Sequence, residues 1–541
     1  MNNPWLRYIW LALLCLPVAI PILIVLSSLA SGESESWVHL RDNLLLEYTS
    51  NTLLLAALVA VQTLIIGVGC AWLTSAFTFP GVRIFSWALV LPLAIPAYIA
   101  GYIYAEMLEY SGPIQTVLRQ LFFGTSYTTN LLDIRSLAGA SFVISIVLFP
   151  YVYLFTKTSF ENQSGILRSA ASSLGAGTSK TFFSLVLPLS RPAIAGGTAL
   201  VLMETMADFG VVEHYGVTTF TTGIFRSWYG MGDQTVALQI SACLFLFVAL
   251  LIYSEQQMIK GKNFNPTSDY KESKRIELTK PKAWLASLLC FVPLLLGFLV
   301  PIVVLTGYAL EESRTELETL FNEYALNTIK VAFIGAGLCL ITSLGLAYSN
   351  RMQSNKIIRT GIKLSTMGYA LPAIILAVGL LVPLTTLDHL LAEPISSLIN
   401  TKPQLWLTGS IAALVLVYFA RFLTVSFNSV EGGLTQIDEK LDAAAAALGA
   451  TSSRTVRSIH LPLLRGPIVA GFLLVFIDIT KELPATLILR PFNFETLSTR
   501  IYRFASDERL AEASQESLII IALGLILTLI LVSNAKKSKN N

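Results

Sequence analysis

Charged side chains are scarce in this sequence. Asp, Glu, Lys and Arg make up 13% of the chain, against about 25% in a soluble domain. So few charges cannot cover the apolar residues, which are 54% of the total and give a mean hydropathy of +0.66. The chain therefore reads as an integral membrane protein. The net charge of +3 is too small to suggest a nucleic-acid partner, no basic run supports one, and none is expected. Cysteine is sparse too. The five (Cys15, Cys70, Cys243, Cys290 and Cys339) lie far apart inside apolar stretches, a spacing that suits neither a disulfide framework nor a metal site. They read as small core residues. Of the four histidines, His460 stands beside a motif and reads as a packing or surface residue. A phosphate loop is also missing. GAGTSKT at 175–181 looks like one, but Ser179 and Leu174 occupy the places where G-x-x-x-x-G-K-[ST] needs glycine. No nucleotide or other cofactor is expected on this chain.

What the sequence has is long apolar runs. A helix needs about 20 such residues to cross the hydrocarbon core. Twelve segments meet or approach this length: 8–30, 53–77, 84–104, 137–156, 193–209 and 235–253, then 283–308, 327–348, 361–383, 405–427, 467–485 and 517–533. The expected fold class is an all-α membrane protein of about twelve transmembrane helices in two six-helix halves. Ser28-Leu29-Ala30 resembles a signal cleavage site. The run before it is too long for a signal core and contains Pro17 and Pro21. With the N-terminus placed inside, 24 of the 37 Lys/Arg fall in inner segments. Both termini are therefore expected on the cytoplasmic side of a multi-pass plasma-membrane protein. The loop 486–516, with Arg490, Arg500, Arg503 and Arg509, is the main exception.

The chain repeats itself. LGAGTSKTFFSLVLPLSRP (174–192) and LGATSSRTVRSIHLPLLRG (448–466) share ten of nineteen residues at an offset of 274. EYTSNT (47–52) pairs with EYALNT (323–328), Pro96 with Pro372, and TTGIFR (221–226) with STRIYR (498–503), at offsets of 276–277. Two homologous halves follow, 1–255 and 283–541, joined by a polar linker, 256–282. An even number of spans per half makes the repeats parallel, about an axis along the membrane normal.

The fifth and eleventh spans carry acids in matched places: Glu204 with Asp478, and Asp208 with Glu482. Ionisable groups within spans are costly and mark functional sites. The i, i+4 spacing places each pair on one helix face. Two such faces on a shared axis would gather four carboxylates along a translocation path. They would suit a hard cation such as ferric iron as transient oxygen ligands. The plainer alternative leaves them in water near the outer helix ends, with Lys481 neutralising a neighbour. Pro92, Pro96, Pro150 and Pro372 lie within spans and could kink them.

The repeated polar segment resembles the EAA loop of ABC-importer permeases. It runs from Ala170-Ala171 through Leu174, Gly175, Ala176 and Lys180 to Pro188. Its second copy runs from Ala444-Ala445 through Leu448, Gly449, Ala450 and Arg454 to Pro462. The resemblance implies a type I ABC importer permease fold. It also implies coupling helices seated on two copies of a separate ATPase subunit, which would use ATP and Mg, and a periplasmic substrate-binding protein. The family's glutamate is replaced by Ser169 and Ala443, with Asp442 one place away. ETMADFGVVEHYGVTTFTTGIFRSWYG (204–230) and KELPATLILRPFNFETLSTRIYRFASDE (481–508) are similar to stretches of fused ferric-iron permeases; thiamine permeases share the plan. Arg490, Arg500, Arg503 and Arg509, and secondarily Glu311, Glu312, Glu316 and Glu318, then become docking candidates for the binding protein. A secondary transporter driven by an ion gradient is the rival, and leaves the repeated loop unexplained.

Overall fold

The computed structural model describes residues 4–32, 34–122, 133–163, 173–259, 275–311, 320–352, 355–399 and 405–540. The first half contributes α1 (Pro4–Ser27), α2 (Leu45–Ala76), α3 (Ala97–Leu108), α4 (Leu137–Asn162), α5 (Arg191–Ala207) and α6 (Gln234–Ile259). The second contributes α7 (Lys280–Glu311), α8 (Leu326–Met352), α9 (Ala373–Ile399), α10 (Ile411–Thr435), α11 (Arg465–Thr480) and α12 (Ser514–Asn540). Among the described residues, eight helices are long and apolar enough to cross a membrane unaided, and up to eleven crossings result if three bent pairs count as one each. The shorter apolar helix Ser514–Ile526, within α12, takes the twelfth position.

Two expected spans are not continuous. The stretch 84–104 breaks before α3, where Val82–Ala94 meets Ala97–Leu121 at 88°. The stretch 361–383 breaks before α9, after the amphipathic helix Lys356–Ser365. Pro96 and Pro372 stand at these breaks, directly ahead of the helices. A proline lacks an N–H, and a helix start has no use for one. These two prolines therefore start helices rather than kink them, whereas Pro150 does lie inside α4. Gly368 closes the second break: a Cβ there would stand 1.9 Å from the Ala420 carbonyl oxygen.

The repeats mark matching hydrogen bonds. Asn51 Nδ2 donates to the Thr218 carbonyl at 3.0 Å, and Asn327 Nδ2 to that of Glu495 at 3.2 Å. Phe220 N donates to Thr52 Oγ1 and Leu497 N to Thr328 Oγ1. Thr219 with Thr222, and Thr496 with Thr499, form reciprocal caps on Phe220–Phe225 and Leu497–Ser506. Each half thus ties its second helix to the loop that follows its fifth.

The halves exchange their first helices. α1 lies on α9, α10 and Lys356–Ser365, all in the second half. Gly345, Gly361 and Gly379 make room for it; a Cβ on them would meet Trp10, Leu11 and Pro21 at 2.7, 2.4 and 2.8 Å. α7 lies against α2 and α4 of the first half, where a Cβ on Gly297 would reach the Ile146 carbonyl at 2.5 Å. A two-residue parallel ladder, Phe77–Thr78 with Ile276–Glu277, stitches the end of the linker to the first half.

Candidate functional site: paired knobs and a cavity between the halves

The repeated polar segments fold alike. Each has a helical turn, a five-residue π segment (Phe182–Val186 or Val456–His460) and a final turn containing Pro188 or Pro462. Each then bends into the next helix, at 69° into α5 and 70° into α11. Ahead of the turn, Gly175 and Gly449 both hold φ +78°, a left-handed conformation that favours glycine. Beside them Leu174 and Leu448 are 87% and 89% exposed. Ala176 and Ala450 are half-buried, and Lys180 and Arg454 exposed. Ala444 and Ala445 lie in the helix Glu439–Ala447, which Asp438 caps. Ala170, Ala171 and Ser169 fall outside the described residues. His460 is not a surface residue: it is buried and bonded to Asp442 at 2.6 Å.

The four acids line one cavity of about 130 Å³ between the halves. The expected i, i+4 helix faces are not what brings them together. α5 ends at Ala207 and α11 at Thr480, so Asp208 and Glu482 lie beyond the last turns. There they cap the next short helices. Asp208 Oδ1 accepts from Val211 N and Val212 N at 3.1 and 3.2 Å. Glu482 accepts from Ala485 N and Thr486 N, both at 3.1 Å, and from Thr486 Oγ1 at 2.8 Å. Arg421 Nη1 stands 3.7 Å from Glu482, and both are buried. Asp478 pairs with Lys481 at 3.1 Å. Glu204 is the carboxylate held by neither a cation nor a backbone N–H among the described residues. The acids are therefore at helix ends, as the plainer alternative had it, but in a cavity rather than in open water. They do not form a metal centre: no three His, Cys, Asp or Glu side chains among the described residues could hold an ion together.

Sequence reasoning missed part of this wall. Arg421, Tyr98, Tyr151 and Tyr369 also line it. The Tyr98 hydroxyl and Arg421 Nε are buried without a hydrogen-bond partner among the described residues. Arg421 carried a readable signal, an arginine inside an apolar run. Tyrosines near the acids are expected on a cation path, but no local signal singles out Tyr98, Tyr151 and Tyr369.

The four arginines of loop 486–516 are largely committed within the chain. Arg500 is a correction to the docking reading: it is buried, with Nε 2.8 Å from Glu516 and its guanidinium over the Tyr324 ring at 4.2 Å. Arg503 and Arg490 share Glu495 at 2.7 and 3.5 Å. Arg509 pairs with Glu512 rather than with Asp507 or Glu508. Glu311 ends α7 exposed, and Glu312, Glu316 and Glu318 fall outside the described residues.

Residues 340–536 match the family described as binding-protein-dependent transport system inner membrane component. The molybdenum transport system permease protein ModB of Haemophilus influenzae is 30% identical over 190 residues, covering 34% of this chain and 80% of its own length. The chain belongs to this family. Two longer permeases are similar along most of it. The Fe(3+)-transport system permease protein FbpB 2 of Haemophilus influenzae is 25% identical over 95% of this chain and 96% of its own length. The ferric transport system permease protein FbpB of Actinobacillus pleuropneumoniae is 22% identical over 88% and 70%. The profile match lies on the second half, so the mirrored knob at 174–189 extends the permease fold across the first.

Proposed function

We propose that this permease is the membrane subunit of an ATP-driven importer that carries ferric iron from a periplasmic binding protein into the cytoplasm. The observation that carries the proposal is the mirrored pair of knobs. Two exposed leucines beside glycines at φ +78° end in bends of 69° and 70°. An apolar side chain held out on a shaped turn costs free energy unless something covers it. Two related by the internal repeat call for two copies of one partner, the ATPase. Both termini and both knobs lie on the cytoplasmic face in this reading, which the Lys/Arg bias supports. Closure of the ATPase pair on ATP moves the knobs, and the bent helices pass that motion to α5 and α11. The cavity between the halves then opens to one side or the other. This chain moves and does not hydrolyse.

Iron is favoured by the relatives that match nearly the whole length, and by the cavity. Its wall carries four carboxylates and three tyrosines, oxygen donors suited to a hard cation. Its volume suits a small ion with a few waters better than a two-ring solute such as thiamine. A second reading rests on Lys481 and Arg421 in the same wall and on the likeness to ModB: an oxyanion cargo. The test is transport in vesicles holding the permease, its ATPase and its binding protein. Iron-55 uptake that needs ATP supports the first reading; uptake of molybdate or sulfate alone overturns it. Cysteines placed at Ala176 and Ala450 should cross-link to the ATPase, and failure at both positions would remove the partner assignment.

A further inference from the structure

The second knob is bound to its own helix bundle by a group of side chains that the first lacks. Asp442 stands in the first turn of Glu439–Ala447, one place before the position where related loops carry glutamate. Its side chain turns inward. Arg351, at the end of α8, donates from Nε to Asp442 Oδ2 at 2.9 Å, and its Nη2 stands 2.9 Å from the same oxygen. The same guanidinium donates to the carbonyls of Leu434, in the last turn of α10, at 2.7 Å and of Ile437, just after it, at 3.1 Å. From the opposite side, His460 Nε2 lies 2.6 Å from Asp442 Oδ1. A carboxylate can only accept, so Nε2 carries the proton. His460 sits in the π segment of the knob, and its ring stacks on Tyr348 of α8 at 5.7 Å and 18°. Three pieces of chain thus meet at one carboxylate: the end of α8, the knob's first helix and the knob's π segment.

We propose that Asp442, Arg351 and His460 form a latch that fixes the second coupling knob to α8, so that the knob's displacement moves the transmembrane bundle. The inference rests on the importer reading for its partner, and on this chain alone for its geometry. A charged guanidinium that brings two nitrogens to one carboxylate oxygen and also closes two backbone carbonyls is directional and stiff. A knob that only slid on its partner would transmit little. The latch also accounts for the missing glutamate: the acidic group serves inside the permease instead of reaching the ATPase. The first half holds Ser75, Arg168 and Val186 at the repeat-related places, so it cannot build the same contact. The first knob is fastened by other groups: Gln163 Nε2 donates to the Val186 carbonyl at 3.2 Å, and Phe182 packs on Trp72 of α2 at 4.7 Å. Asp442, Arg351 and His460 are positioning residues; none is placed against the cargo.

The test uses the assembled permease, ATPase and loaded binding protein in lipid, beside the permease alone. In the assembly, Asp442→Asn and Arg351→Gln should keep the ATPase bound and lower the ratio of stimulated to basal ATP hydrolysis at least fivefold. His460→Gln, which restores an N–H donor, should hold at least half the ratio, while His460→Leu should not. In the permease alone, Asp442→Asn should raise amide hydrogen exchange over 439–463 at least tenfold. This second readout needs no ATPase, so it judges the latch even if the importer reading fails. Unchanged exchange in Asp442→Asn overturns the latch. Loss of the ATPase with unchanged exchange places Asp442 at the subunit contact and overturns it as well. Raised exchange with an unchanged hydrolysis ratio overturns its role in transmission.

Discussion

Glu204 and Glu482 face one cavity and do different work. Glu482 accepts two backbone N–H groups and a hydroxyl and stands beside Arg421. Removing one partner of a buried charged group of this kind costs about 3–5 kcal/mol. Glu482→Ala should therefore lower thermal stability in lipid before it alters selectivity. Glu204 has no such support, so Glu204→Gln should leave the unfolding temperature within a degree or two and slow cargo transport at least fivefold. If Glu204→Gln transports at the normal rate, the cavity does not bring its carboxylate to the cargo. Asp442 gives a prediction in pH. Burial pushes its carboxyl up, but the hydrogen bonds from Arg351 and His460 outweigh burial and hold it below the usual carboxylate range. A carboxyl depressed in the fold contributes stability above its unfolded value, near 3.9, and loses it as pH falls through the folded value. Exchange over 439–463, corrected for the intrinsic pH dependence of amide exchange, should stay flat from pH 7 to about pH 5 and rise below about pH 4. Asp442→Asn should remove that rise.

At the scale of elements, the turn at each knob depends on a left-handed glycine. No atom stands within 4 Å of a Cβ built on Gly175 or Gly449. Alanine there meets no clash and suffers only the backbone penalty, about 1–2 kcal/mol. Gly449→Ala should therefore weaken ATPase binding roughly five- to thirtyfold while the helices keep their unfolding temperature. Binding by surface plasmon resonance checks the first part and differential scanning fluorimetry the second. The broken third and ninth spans obey the same logic. A proline begins a helix more easily than it interrupts one, and the chain before each break is free to turn across the bundle end.

At the scale of the whole molecule, the first helix of each half lies on the other half. The arrangement makes the halves one body at their rims and leaves a cavity at their centre. Gly379 admits α1, with Pro21 2.8 Å from where a Cβ would be. Gly379→Val should push α1 outward and cost about 1–3 kcal/mol, as overpacking does. It should also raise exchange over residues 10–25, measured by mass spectrometry in nanodiscs. A valine variant with native exchange would show that α1 does not need that close approach.

How much of this was legible before folding differs from residue to residue. The twelve apolar runs, the two halves and the twin knobs stand in local order along the chain. Apolar length and repeat offset are properties of neighbours in sequence, so a string of residues determines them. The matched acids were readable as pairs for the same reason. Their roles were not, because Asp208 and Glu482 act through helices that begin after them, and a helix end at 207 or 480 depends on packing. Arg500 read as an outer charge until Glu516, sixteen residues on, and Tyr324, distant in sequence, closed around it. The exchange of first helices, the tyrosine wall of the cavity and the contact of Arg351 with Asp442 join residues tens to hundreds of positions apart. Only the tertiary structure decides such contacts, since a chain folded in lipid chooses among apolar faces of nearly equal hydropathy by shape and by where each polar group finds its partner.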